Sequence, residues 1–206
     1  MQEQNKKSGF DVSKQFVVPI LSGGEKRCTV RFPNDEEWCH WARKQRSVRR
    51  VLGRGKSQTD EIGLDDLNAE LFDRIRIDKD GGAAFDQAEA GMVIGKIERA
   101  AITGVDREGN NFRIELKVPG AETSHVLRMP TAKEMQEHER ASTSVIVGRR
   151  QQEIRAFLEP SGLLYDKLHV SSSGYAGATP IVHKSAVITE LLAQLAIAED
   201  DEFPEE

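Results

Sequence analysis

The chain has 206 residues, with 38% hydrophobic and 31% charged side chains and a formal net charge of -5. That is too apolar for a wholly disordered chain, and it gives no global pull towards nucleic acid. No apolar run approaches the ~20 residues that span a bilayer, so no membrane role is expected, and residues 1–9 lack the apolar stretch of a signal peptide. The two cysteines, Cys28 and Cys39, are too few for a disulfide framework and read as free thiols in a reducing cytoplasm.

In chain order, residues 1–10 are polar and read as a flexible N-terminus. Phe16-Val17-Val18-Pro19-Ile20-Leu21, a Gly23-Gly24 turn and Arg27 to Phe32 read as a β-hairpin. Pro19 places its strand at a sheet edge, because proline offers no N–H to a ladder. Pro33 closes the hairpin, and Asn34 with Glu37 forms a capping box that opens a helix carrying Trp38, Trp41, Gln45 and Val48 along one side. Residues 53–63 read as a loop. Helices follow over about 64–77 and about 85–100, and 101–105 reads as a short strand before a turn at 106–111.

The pattern then returns. Phe112, Ile114, Leu116 and Val118 alternate as a half-buried strand, a Pro119-Gly120 turn follows, and residues 124–129 complete a second hairpin. Leu127-Arg128-Met129-Pro130 lies 97 residues after Val30-Arg31-Phe32-Pro33, and Thr131 with Glu134 repeats the capping box. The next helix carries Met135, His138 and Val145. Leu164-Tyr165-Asp166-Lys167-Leu168 lies 93 residues after Leu71-Phe72-Asp73-Arg74-Ile75, and Val187-Ile188 lies 94 after Val93-Ile94. The spacing predicts helices over about 161–170 and 181–198, with residues 171–174 as a loop. Matches in the same order at nearly constant offset predict tandem units. The expected fold is α+β with an internal duplication, each copy a β-hairpin followed by about three helices. The expected boundaries are 1–10 for the N-terminus, 11–103 and 104–198 for the two units, and 199–206 for an acidic, disordered tail.

Three features could carry chemistry. Arg43, Lys44, Arg46, Arg49, Arg50, Arg54 and Lys56 form a basic run, read as a helix that could neutralise phosphates; the plain alternative is a solvated face paired with the acids between Asp60 and Asp66. Gly53-Arg54-Gly55-Lys56-Ser57 has the end of a phosphate loop but lacks its first glycine, since Arg50 stands there. Residues 78–89 resemble an EF-hand loop, with Asp78, Asp80, Asp86 and Glu89 at positions one, three, nine and twelve, which makes calcium a candidate ligand. Gly82 at position five and Ala83 in place of the turn glycine depart from that pattern, and the plain alternative is an acidic turn with Asp86 at a helix start. The histidines are not at metal-ligand spacing, no other cofactor is implied, and no catalytic constellation stands out, so the chain reads as non-enzymatic.

The element strand, Gly-containing turn, strand, Arg-x-Pro and capped helix, at Val30 to Asn34 and again at Leu127 to Thr131, resembles the N-terminal motif of tail-assembly chaperones and related morphogenesis proteins of tailed bacteriophages. The resemblance covers roughly 35 residues of each copy. It implies a non-enzymatic protein of the bacterial host cytoplasm, incorporated or not into the virion, that binds phage tail or other structural proteins. Under that reading Trp38, Trp41 and Arg46 are the expected partner-binding residues, although the spacing of the two tryptophans by itself reads as core; hairpin edges could accept a partner strand, and the basic run 43–56 supplies steering or, alternatively, a nucleic-acid site.

Overall fold

The computed structural model describes residues 9–21, 24–44, 46–53, 56–80, 82–142, 145–148, 151–155 and 158–201; for residues 46–62, 145–155 and 198–201 the backbone alone is described. The fold is mixed α+β. Strands β1 (Gln15–Leu21) and β2 (Glu25–Arg31) form the first hairpin, followed by helix α1 (Asp35–Lys44). A second hairpin, β3 (Arg46–Gly53) and β4 (Lys56–Ile62), precedes α2 (Leu64–Ile75) and α3 (Gln87–Glu98). Then β5 (Ala101–Glu108) leads into β6 (Asn111–Val118), β7 (Ala121–Arg128) and α4 (Ala132–Ser142). A further hairpin, β8 (Val145–Gly148) and β9 (Gln151–Arg155), is followed by α5 (Leu158–Leu168), β10 (His169–Ser173) and α6 (Ile181–Asp201).

All pairing between these strands is antiparallel. β1 pairs with β2, β10-β7-β6-β5 form one four-stranded sheet, and β4-β3-β9-β8 form another. The order hairpin, helix, hairpin, helix, helix occurs from β1, and again from β6 with β10 set between the last two helices. The two stretches do not hang on a linker. β3 pairs with β9 from Arg46↔Arg155 to Arg50↔Gln151, and one hydrophobic core runs from Ile20, Trp38 and Ile75 to Ile114, Leu168 and Leu191. Phe10 acts as a bolt between them. Its N–H donates to the Gly174 carbonyl (2.6 Å), its carbonyl accepts from Ala176 N–H, and its ring packs on Phe32 and His183.

Several expectations are corrected. The helix carrying the tryptophans ends at Lys44, so Val48 lies on β3, and the loop expected over 53–63 contains β4. Val145 likewise belongs to β8 and not to α4. β-branched and apolar residues at Val48, Val51 and Val145-Ile146-Val147, each run followed by a glycine, favour strands over helix continuation. Residues 169–173, expected as helix end and serine loop, form β10, and α6 runs on to Asp201, into the expected tail. The capping boxes and the turn at Gly120 are as expected, whereas the turn expected over 106–111 shrinks to Gly109-Asn110 because β5 runs to Glu108, and Gly23 lies outside the described residues. Asn34 Oδ1 accepts from Glu37 N–H at 2.9 Å and Glu37 Oε2 accepts from Asn34 N–H at 3.0 Å. At Gly24 and Gly120, φ is 140° and 77°, a region that side chains avoid.

Candidate functional site

Each Arg-x-Pro element builds the same clamp. The Arg31 guanidinium, at the end of β2, donates to both carboxylate oxygens of Glu37 (2.7 and 2.6 Å) and to the Arg74 carbonyl in the last turn of α2 (3.3 Å). Arg128, ending β7, donates to Glu134 (2.9 and 2.6 Å) and to the Lys167 carbonyl in α5 (3.1 Å). The glutamate is also the reciprocal half of the helix cap, so one carboxylate ties strand, helix start and helix end together. The hydrogen bonds from Arg31 hold the Glu37 carboxyl below its usual range, and those from Arg128 bring Glu134 to about 2. Charge-assisted bidentate pairs are the strong class of hydrogen bond. Arg31→Met is therefore expected to cost roughly 1–3 kcal/mol, read as a lower urea midpoint at unchanged slope.

The expected partner-binding tryptophans are not at the surface. Trp38 is 0% exposed and Trp41 7%, and both belong to the core. Trp41 Nε1–H donates to Asn68 Oδ1 on α2 at 3.0 Å. Their i, i+3 spacing faces the interior because α1 is covered by α2 on one side and by α5 and α6 on the other. Arg46 begins β3; its side chain lies outside the described residues.

The basic run is not a helix. Arg43 and Lys44 end α1, Arg46, Arg49 and Arg50 lie on β3, Lys56 begins β4, and Arg54 lies outside the described residues. Arg43 is paired with Glu159 of α5, and Lys44 Nζ with Glu70 of α2 at 3.0 Å, so neither cation is held ready for phosphate. Gly53 to Ser57 spans the β3–β4 hairpin instead of a strand-to-helix turn.

The EF-hand-like loop is tied down by its own side chains. Asp78 accepts from Arg76 Nε (2.8 Å) and from Thr29 N–H (2.9 Å). Asp86 caps α3 in a capping box with Glu89, whose nearly buried carboxylate meets Lys26 Nζ at 2.7 Å. Thus Asp78, Asp86 and Glu89 serve β2, the α3 cap and β2 again, and no cluster of three or more His, Cys, Asp or Glu that could hold a metal forms among the described residues. Asp80 sits in the turn after α2.

The hairpin edge is also ill suited to accept a strand. In β1, Pro19 offers no N–H and its carbonyl takes Lys96 Nζ at 2.5 Å.

Two openings stand out among the described residues: one of about 470 Å³ bordered by Gly9, Lys117, Gly120 and Glu122, and a smaller one between α4 and α5. α4 buries none of its residues, whereas α1 buries Trp38, Cys39, Trp41 and Ala42. A groove of about 140 Å³ runs between α4 and α5, past His138, Ala141, Pro160, Leu163 and Leu164. The matching crevice between α1 and α2 measures about 10 Å³, with Trp41 among its walls. His138 Nε2 lies 3.4 Å from Ser161 Oγ, where Trp41 meets Asn68 in the other pair.

A buried polar cluster is a feature that sequence reasoning missed. His125 on β7, Tyr165 on α5, Tyr175 after β10 and His183 on α6 converge. His125 Nδ1 lies 2.8 Å from Tyr165 Oη, and Tyr175 Oη lies 3.1 Å from His125 Nε2, 3.2 Å from His183 Nδ1 and 3.2 Å from Thr123 Oγ1. Burial lowers His125 to about 4 and His183 to about 3 and raises both tyrosines, so all four are neutral at pH 7. The cluster sits under the Phe10 bolt within the second stretch, and the Tyr175 and His183 rings meet the Phe10 ring. Nothing in the spacing of these residues announces it.

Comparison of the chain with protein-family models, with curated proteins and with solved structures gave no significant match. No helix among the described residues is long and apolar enough to cross a membrane.

Proposed function

We propose that this protein is a non-enzymatic binding module acting in the assembly of a tailed-phage or prophage structure, and that its two halves are copies of one unit. The duplication reading is supported by the two Arg–Glu–carbonyl clamps at matching positions. The binding reading rests on one observation: in the first copy the helix after the clamp is sunk in the core, and in the second the equivalent helix buries no residue and borders an open groove. The chain keeps a folded helix there with no fully buried residue, Met135 and His138 being half-buried, which leaves part of its face available to a partner.

The test is a tagged pull-down from the native host with and without nuclease, read by mass spectrometry. Tail-tube, tape-measure or other virion proteins retained after nuclease, and at salt high enough to screen exposed charges, are the expected result. Recovery of nucleic acid, with protein partners lost on nuclease treatment, would overturn the reading and move the function to the β3–β4 hairpin.

A further inference from the structure

We propose that the four-stranded sheet β4-β3-β9-β8 is an arm whose basic end, at Arg49, Arg50 and Lys56, holds the phosphate backbone of double-stranded DNA. The proposal goes beyond the assembly reading above and does not need it.

The arm stands apart from the core. Among the described residues β3, β4, β8 and β9 pack substantially only on one another. Residues 46–62 and 145–155 hold eight lysines and arginines against three acids, a local charge of +5 in a chain of net charge -5, which leaves -10 for the rest. Arg54, Arg149 and Arg150 add to that charge but lie outside the described residues, and the site is built without them.

Strand register sorts the charges along the arm. Arg50 pairs with Gln58 on one side and Gln151 on the other, so the β3–β4 and β8–β9 connections fall at the same end. The acids lie towards the opposite end, with Asp60 and Glu153 across from Val48 and Glu61 across from Ser47. Directly opposite Arg49 stand Thr59 and Gln152, and directly opposite Arg50 stand Gln58 and Gln151. The acids take only diagonal positions to these two arginines. Arg46 stands opposite Arg155, and like charges placed so cost stability. A sheet arranged for its own stability would set an acid across from each arginine. This one gathers its cations at one end and keeps its acids at the other.

Phosphates complement that end, and the repulsion of the acidic remainder confines them to it. Residues 46–62 and 145–155 contain no aromatic side chain, and so they lack the stacking platforms that single strands require. Past Gln151 only β3 and β4 remain paired, as a two-stranded ribbon that ends at Gly53 and Lys56. The major groove of B-DNA admits such a ribbon, whereas that of A-form RNA is deep and narrow.

The experiment follows the anisotropy of a labelled DNA duplex of two helical turns, titrated with the full chain over a series of salt concentrations. The expected result is binding whose logarithm falls linearly with that of salt. Arg49→Gln/Arg50→Gln should weaken it at least about tenfold and lower the slope by about 2, and Lys56→Gln should lower the slope by about 1. Lys56→Gln lies at the end of an edge strand, so it carries the test if the double variant fails to fold. Arg27→Gln/Lys133→Gln removes equal charge from exposed positions off the arm and should leave binding within about twofold. No binding at low salt, equal losses in the two double variants, or equal or tighter binding of polyglutamate would overturn the proposal. Tighter binding of duplex RNA or of single-stranded DNA would overturn the assignment to double-stranded DNA. Protein partners that survive nuclease, with no DNA binding, would sink this proposal alone, and DNA binding without such partners would sink the assembly reading alone.

Discussion

Trp41→Ala is expected to bring the protein to the edge of unfolding, whereas His138→Ala, the change 97 residues on in α4, is expected to cost under about 1 kcal/mol. Trp41 is almost fully buried between α1 and α2, and its truncation opens a cavity worth about 3–5 kcal/mol. It also strips the donor from Asn68, which is itself buried, and an orphaned buried acceptor costs about 1–3 kcal/mol. Whole-domain stabilities are about 5–15 kcal/mol, so one side chain carries a large share of the total. His138 is only half-buried at the wall of an open groove, and its removal enlarges a space that solvent already reaches. Urea denaturation of the two alanine variants separates these cases. Equal midpoints for both would mean that α1 and α4 are packed alike at these positions, and would remove the structural basis for an open groove beside α4. Trp41→Phe keeps part of the packing but loses the N–H and some ring volume, so its cost should fall between wild type and Trp41→Ala.

The second large effect is a steep loss of stability in mild acid. His125 and His183 are buried and neutral, with folded pKa values of about 4 and about 3 against an ordinary 6.5. Burial is the main cause in both, and each histidine is further opposed by a neighbouring one, His169 for His125 and His125 for His183. Between those values and 6.5 the unfolded chain binds protons that the folded chain refuses. Stability is therefore complete above about pH 7 and falls as the pH drops through 6 and 5, by about 1.4 kcal/mol per unit for each histidine, until the folded values are reached. Two histidines between pH 6 and pH 4 amount to about 5 kcal/mol, comparable with the total stability of many domains. The clamp glutamates act in the same direction but at lower pH, because their carboxyls are depressed and their contribution is lost only as pH falls below about 4.5. The check is a series of urea midpoints at pH 7, 6, 5 and 4.5. A flat series over the upper three would show that the cluster is open to water and protonates while folded. Because His183 packs on Phe10 and Phe32 at the joint between the halves, Phe10 contacts should be among the first lost as the pH falls.

Local signals recorded much of this architecture. The hairpins at 16–32 and 112–129 follow from alternating apolar residues and from glycines at the turns, which are i to i+2 and i to i+1 relations. The capping boxes at Asn34/Glu37 and Thr131/Glu134, and the helices from Leu64, Gln87 and Ile181, follow from relations within one or two helical turns. Such patterns are complete within a few residues, so a sequence can carry them unaided. The β3–β4 and β8–β9 hairpins were not legible. Each follows a helix whose apolar periodicity runs on past its true end, and each gains its pairing from the other, across about a hundred residues.

The site was less legible still. The spacing of Trp38 and Trp41 reads as core, yet it does not say what covers them, and that is settled only by α2, α5 and α6 packing on α1. The acids at 78–89 fit a calcium loop by spacing, and yet Thr29, Arg76 and Lys26 claim them once β2 lies alongside. What the sequence by itself determined is the set of elements with local periodicity, the two Arg-x-Pro caps and the recurrence at offsets of 93 to 97. What only the tertiary structure decided is which of the similar elements is covered. Burial depends on neighbours distant in the chain, and so it alone separates a tryptophan in the core from an open groove beside His138.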